Sequence, residues 1–82
     1  MLIGKVVGNI VSTRKNEKIV GSTILEVQLI ENGRDTDKYI VAIDSLGAGI
    51  GEIVLITTGS GARLALPNRE TPVDAVIVGI VD

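Results

Sequence analysis

The chain has 82 residues, which suits a single domain over residues 1–82 and is too short for two. Hydrophobic residues make up 45% of it, yet Tyr39 is its one aromatic residue, and a net charge of −2 leaves no basic surface of the kind that binds single-stranded nucleic acid together with aromatic rings. The lack of cysteine and histidine excludes disulfides, thiolate metal sites and the usual pairs of nucleophile and general base.

Five short segments rich in β-branched residues and bounded by turn formers predict strands. In chain order they are Leu2–Ser12, Thr23–Ile30, Lys38–Ile43, Ile53–Thr58 and Val73–Val81. The second segment alternates, with Leu25, Val27 and Leu29 on one face. In the first segment, Gly4 and Gly8 predict bends or close backbone contacts of the kind that a small coiled barrel requires.

The connections between these strands are polar. The stretch "ENGRDTD", residues 31–37, predicts a hairpin loop in which Asn32-Gly33 takes positive φ. Ser60 is a candidate N-cap for a short helix to about Leu66, which Pro67 would end. Five short strands, tight loops and one short helix predict an all-β fold, a small Greek-key barrel of the OB type, with a β-sandwich fragment as the alternative.

The last predicted strand is apolar on both faces. One face carries Val73, Ala75, Ile77, Gly79 and Val81, and the other carries Val76, Val78 and Ile80. A barrel this small has one interior, so the second face needs another cover, and a further subunit is the simplest one. We therefore expect self-association, with Val76, Val78 and Ile80 at the subunit interface.

The stretch "SLGAGIGE", Ser45–Glu52, raises the question of phosphate binding, because it places Gly47, Gly49 and Gly51 at alternate positions. A dinucleotide fingerprint needs a different spacing and a long helix after the glycines, whereas here a predicted strand follows. Two interpretations remain open. The glycines serve a tight connection between strands, or they let several backbones approach closely around a symmetry axis.

Two carboxylates, Asp44 and Glu52, flank this loop. We expect them to be solvated or hydrogen-bonded to the loop, and the alternatives are an acid–base pair or a site for a hard cation.

Since no other catalytic constellation is recognisable, neither an enzymatic activity nor a cofactor or metal is expected. The lack of cysteine fits a cytosolic protein, and no apolar run reaches the about 18 residues of a membrane helix.

A second stretch of small residues, "TTGSGAR", ends at Arg63. It has two interpretations that the residues alone do not separate. It is a strand end followed by a turn and a helix N-cap, or it presents an arginine among small residues to the carbonyls or carboxylates of a neighbouring protein.

Three blocks of the sequence resemble the EutN/CcmL family of pentameric vertex proteins from bacterial microcompartment shells. They are "LIGKVVGNIVSTRK", "VAIDSLGAGIGEIVLITTGSGAR" and "PVDAVIVGIVD", and their order and spacing cover nearly the whole chain. The resemblance implies a five-stranded OB-like barrel, a homopentamer, and a structural role at the fivefold corners of a shell whose facets consist of hexameric shell proteins. The alternative is a small OB-type module that binds nucleic acid or a small ligand.

The resemblance also implies positions for the two glycine-containing stretches. An axial loop would place Ser45, Gly47, Ala48, Gly49 and Gly51 where the subunits converge. A rim that contacts the hexamers would consist of Gly59, Ser60, Gly61, Ala62 and Arg63. No membrane and no nucleic acid is expected as a partner.

Overall fold

The structure, a computed structural model, describes residues 1–11, 22–59, 62 and 74–82. These residues form strands β1 (Leu2–Ile10), β2 (Thr23–Glu31), β3 (Arg34–Asp44), β4 (Ile53–Thr58) and β5 (Ala75–Val81). The strands close into a barrel in the order β1-β2-β3-β5-β4. The all-β fold class and the five-stranded barrel are therefore confirmed. The predicted helix from Ser60 to Leu66 lies, apart from Ala62, outside the described residues.

The buried cluster that the described residues form inside the barrel is entirely aliphatic. The predicted inner face of β2 is confirmed, since Leu25, Val27 and Leu29 are all buried. The buried cluster consists of Val6, Leu25, Val27, Leu29, Ala42, Val54, Ile56 and Ile77. Burying each of the Val, Leu and Ile side chains stabilises the fold by roughly 1.5–3 kcal/mol before the cost of ordering the chain is subtracted.

Gly4 is a position at which β1 and β2 approach each other too closely for any side chain. A Cβ at this position would lie 2.4 Å from Val27 Cγ1 and 2.8 Å from the Gln28 carbonyl oxygen. Because one of these atoms belongs to the backbone, the strands themselves would have to move apart. The predicted close contact is confirmed at Gly4. At Gly8 the β1–β2 register shifts, but a Cβ would meet only Glu26 Oε1 at 3.9 Å, so there is no close backbone contact.

The hairpin between β2 and β3 is shorter than the predicted loop. Asn32 and Gly33 have φ of 53° and 75°, as predicted for a tight turn. The polar residues that follow are part of β3, because Glu31 pairs with Arg34 and Ile30 with Asp35. Two exposed ion pairs lie at this end of the hairpin, one from Lys5 on β1 to Asp35 on β3 (Nζ–Oδ2 3.2 Å) and one from Lys38 on β3 to Glu31 on β2 (Nζ–Oε1 3.0 Å).

A bulge in β5 changes the faces that strict alternation predicts. Leu55 pairs with Gly79 and Ile56 with Ile77, so Val78 is an extra residue on β5. As a result, Ile80 lies on the core-facing side together with Ile77, which is 1% exposed. Val76 precedes the bulge on the outer side, and it is nevertheless only 2% exposed because a second apolar cluster covers it. The prediction that Val76, Val78 and Ile80 share one face is wrong.

The barrel closes between β3 and β5, which are parallel and pair in the described residues through Ile43 and Val76. These two side chains form a second apolar cluster with Ala62, against which Ile24 packs. Val76 is thus covered within the protomer, and it has no surface left for a neighbouring subunit. This is the physical reason to remove Val76 from the expected interface.

Candidate functional site: the glycine loop and the outer faces

The glycine loop, residues 45–52, runs from β3 to β4 and is held by the carboxylate of Asp44. Asp44 is 2% exposed. Its Oδ1 accepts a hydrogen bond from the Leu46 N–H at 3.0 Å, and its Oδ2 accepts from the N–H groups of Gly47 at 3.1 Å and Ala48 at 2.8 Å. Three charge-assisted hydrogen bonds to backbone amides fix the direction in which the chain leaves β3.

The other end of the loop is held by Glu52 and by β1. Glu52 Oε1 accepts a hydrogen bond from the Gly49 N–H at 2.6 Å, and the Glu52 N–H donates to the Gly49 carbonyl at 3.1 Å. The Gly51 N–H donates to the Val6 carbonyl at 2.8 Å, and the Val6 N–H donates to the Glu52 carbonyl at 2.9 Å. The loop therefore continues the β1–β4 ladder before β4 begins.

This hydrogen bonding answers the question of phosphate binding. A phosphate-binding loop directs free backbone N–H groups at the anion. Here the amides of Leu46, Gly47, Ala48, Gly49 and Gly51 all donate to groups of the chain itself, and two of those acceptors are carboxylates. The loop therefore lacks the set of converging free donors and the positive potential that a phosphate requires.

The glycines of the loop serve backbone geometry at two positions. Gly47 and Gly51 have φ of 84° and 92°, which side-chain-bearing residues rarely adopt. Gly49 is different, since its φ is ordinary and a Cβ there would lie 3.4 Å from the flexible Glu52 Oε1. The tight-connection interpretation of the glycines is therefore supported at Gly47 and Gly51, while nothing within the protomer requires a glycine at Gly49.

The loop is attached to the barrel on one side and open on the other. Ala48 packs against the main core, whereas Leu46 and Ile50 are 51% and 65% exposed. Ser45 and Gly49 are also exposed. In the described residues, no three carboxylates or other metal-binding side chains come together, and Asp44 and Glu52 are used by the loop itself.

Of the expected rim, the structure describes Gly59 and Ala62. Gly59 has φ of 65°, its N–H donates to the Asp74 carbonyl at 2.8 Å, and its carbonyl accepts from the Ala62 N–H at 3.1 Å. Ala62 is completely buried against Ile43 and Val76, so it offers no surface to a neighbouring shell protein. Ser60, Gly61 and Arg63 lie outside the described residues.

Of the expected subunit interface, Val78 is 38% exposed, while Ile80 is half-buried and packs against the main core. Other exposed hydrophobic residues were not anticipated from the sequence. Tyr39 and Val41 on β3 are 52% and 54% exposed, and Ile3 on β1 is 37% exposed. The available signal was their position, since each alternates with residues that face the core.

The residues that the structure describes include no helix with the length and hydropathy needed to cross a bilayer.

The fold and these surfaces define the chain as a small OB-like β-barrel protein with aliphatic side chains exposed around its outside. The chain belongs to the EutN/CcmL family, whose model, described as ethanolamine utilisation protein EutN/carboxysome, matches residues 1–82.

The similarity to individual relatives supports this family assignment. The carboxysome shell vertex protein CcmL of Gloeobacter violaceus is 46% identical over 83 residues, which cover 100% of this chain and 83% of that protein. Its solved structure superimposes with a TM-score of 0.93 at 44% identity, over 100% of this chain and 86% of the other. The structure titled GrpN pentameric microcompartment shell protein from Rhodospirillum rubrum has a TM-score of 0.89 at 41% identity, over 100% and 94% of the two chains. The bacterial microcompartment shell vertex protein EutN of Salmonella typhimurium is 41% identical over 83 residues, covering 100% and 84%.

The role of Asp44 is testable by truncation. Asp44→Ala leaves the N–H groups of Leu46, Gly47 and Ala48 without their acceptor, and we expect it to lower the free energy of unfolding by roughly 2–3 kcal/mol. Urea unfolding followed by circular dichroism at one protein concentration measures this. Glu52→Ala is the matched control, with a smaller loss expected because Glu52 is exposed and holds a single amide. Equal losses for the two variants would contradict the central role of Asp44.

Proposed function

We propose that this chain is a structural subunit of a bacterial microcompartment shell, where it forms homopentamers that close the fivefold vertices. The observation that carries the proposal is the match of the whole chain to a pentameric shell protein with the same barrel. Relatives over the whole chain are named shell vertex proteins. The chain is accordingly a structural protein and not an enzyme, and its place is the shell of a microcompartment in the cytoplasm.

The surface of the protomer supports assembly independently of the relatives. A small barrel has a large surface for its volume, and this one leaves several β-strand side chains of Ile, Val and Tyr more than one-third exposed. Clusters of exposed apolar residues on a small domain mark interaction surfaces. The alternative, an OB-type module for nucleic acid or a small ligand, lacks both the basic groove and the aromatic platforms that such a module uses.

For the finer placement, we propose that the glycine loop lies near the fivefold axis, with Ser45, Gly47, Gly49 and Gly51 facing the other copies. Ala48, which was expected in this set, packs against the core of its own protomer. Small residues suit a position where five chains converge. Gly49 supports this placement, since its φ is ordinary and the protomer has room for a side chain. A crowded axis would supply the constraint that the protomer does not.

We further propose that hexameric shell proteins are the partners at the rim, and that Gly59, Ser60, Gly61 and Arg63 form the contact. The support is the family resemblance and the chemistry of Arg63, whose guanidinium offers five donors in a fixed fork. Gly59 contributes by its left-handed backbone, which turns the chain after β4. Ala62 does not belong to this contact, because it is buried in the protomer.

The proposed function is tested by the mass of the native particle. Native mass spectrometry of the purified chain at micromolar concentration is expected to show five chains per particle, because head-to-tail contacts close into a ring when the rotation between neighbours fits. The mass under denaturing conditions provides the control. A dominant monomer or dimer would contradict the homopentamer.

The axial placement is tested by enlarging Gly49. Gly49→Leu is expected to weaken the ring strongly, because five added side chains would crowd the axis, while the protomer stays folded. Gly49→Ala is the matched control for the loss of glycine, and we expect it to change assembly much less. Assembly is measured by native mass spectrometry across a dilution series. A Gly49→Leu ring as stable as the parent ring would place the loop away from the axis.

The rim contact is tested by reversing the charge of Arg63. We expect Arg63→Glu to form soluble pentamers, whereas shells co-expressed with it lack vertices, since a charge facing the wrong partner can cost several kcal/mol. Electron microscopy of the particles, with incorporation of the chain quantified, measures the effect. Arg69→Glu provides a second charge reversal in the same chain as the control. Normal incorporation of Arg63→Glu would exclude Arg63 as a docking contact.

A further inference from the structure

We propose that neighbouring copies meet head to tail through two named surfaces on opposite sides of the barrel. The first, called the β4 face, consists of Ile3, Leu55, Gly79 and Val81. The second, called the β3 face, consists of Tyr39 and Val41. This inference rests on the proposed pentamer and assigns the residues through which one copy binds the next.

The β4 face is a continuous apolar surface across three strands. Ile3 pairs with Leu55, and Leu55 pairs with Gly79, so the three lie side by side on β1, β4 and β5. All three point outward. Leu55 alternates along β4 with Val54 and Ile56, and those two residues are fully buried in the core. Ile3 and Val81 are 37% and 42% exposed, and Val78 at the bulge borders the same surface.

Gly79 indicates that a neighbouring chain approaches this face closely. Gly4 is required by the protomer, since any side chain there would collide with Val27 and the β2 backbone. Gly79 is not, because a Cβ there would make ordinary contacts of 3.5 Å or more with Leu55, and its φ is not in the left-handed region. A glycine within a strand often marks a bulge or the close approach of another backbone. Gly79 follows the bulge at Val78, but its φ is not left-handed, so the bulge does not itself require a glycine here.

The β3 face lies on the part of β3 that extends away from β5. Tyr39 and Val41 are 52% and 54% exposed, while Ile40 and Ala42 between and beside them face the core. The single aromatic residue of the chain is thus on the outside of the barrel. Tyrosine is enriched among the residues that dominate binding at protein interfaces, because it buries a large area at a low entropic cost.

The strand order places the two faces on opposite sides. In the order β1-β2-β3-β5-β4, β3 is two strands away from β1 in one direction and two strands away from β4 in the other. A ring with one kind of contact requires two different surfaces on each subunit, facing away from each other. A twofold dimer would instead pair one surface with itself. The two apolar faces of this barrel meet the requirement for a ring.

Two lysine substitutions and their mixture test this pairing. Ile3→Lys blocks the β4 face and Val41→Lys blocks the β3 face, and each is expected to raise the concentration for half-assembly by at least about 100-fold. An equimolar mixture retains one intact pair of faces. Native mass spectrometry of the mixture is therefore expected to show a dimer with one copy of each variant, whose masses differ, and no ring. Val11→Lys, at a residue 89% exposed and outside both faces, is the control and should remain pentameric.

The outcomes separate this inference from the proposed function. If the parent chain is not pentameric, the proposed function fails. If the parent is pentameric and either single variant assembles like it, the assignment of the faces is overturned and the pentamer stands. A mixture that stays monomeric also overturns the pairing, and it guards against variants that merely fail to fold, because unfolded chains form no specific dimer.

Gly79→Ala probes the close approach itself. The protomer accommodates the methyl group beside Leu55, so we expect an unchanged circular dichroism spectrum of the dissociated chain and at least about a tenfold loss in assembly. Assembly equal to that of the parent would overturn the close contact at Gly79.

Discussion

The closure of the barrel between β3 and β5 is the constraint on which the rest of the structure depends. In the described residues the closure rests on the pairing of Ile43 with Val76, which Ala62 covers from outside. Because this parallel pairing is so short, β3 and β5 lie side by side only near Ile43 and Val76. One part of β3 therefore extends beyond β5, and its side chains on the outer face remain uncovered. Asp44 follows Ile43 directly, so the same crossing also fixes where the glycine loop begins.

The division of the aliphatic residues between inside and outside follows from the size of the barrel. In the described residues, eight buried aliphatic side chains form the main core and four partly buried ones pack against it, while other Val, Ile and Leu residues of the strands lie outside it. In a chain with 45% hydrophobic residues, the surplus lies on the outer faces. A single copy therefore has a packed core, but apolar side chains remain exposed on its outer faces. This explains how a protein of the EutN/CcmL family can fold as a barrel and still depend on neighbours for its final form.

Strand positions and the fold class could be predicted from the sequence, because β2 alternates cleanly and Asn32-Gly33 requires a tight turn. The bulge at Val78 could not, since it arises from the register between β4 and β5, and it turned Ile80 towards the main core. The burial of Val76 could not be predicted either, because it depends on Ala62, which is distant in the sequence. The polar start of β3 also has the composition of a loop, whereas its backbone pairing with β2 after the tight turn makes it a strand. For the loop, sequence reasoning identified the glycines but not the three amides held by Asp44, which depend on the fold of residues around a buried carboxylate.

The exposed position of Tyr39 has a practical consequence for spectroscopy. Tyrosine fluorescence usually reports on the packing of a hydrophobic core, but the core of this barrel contains no aromatic ring. The one fluorophore of the chain is half exposed in the folded protomer, so its emission changes little when the aliphatic core melts. The same ring is sensitive to whatever covers the outside of β3. Its emission is therefore a poor probe of unfolding and a direct optical probe of contacts at the outer surface of the barrel.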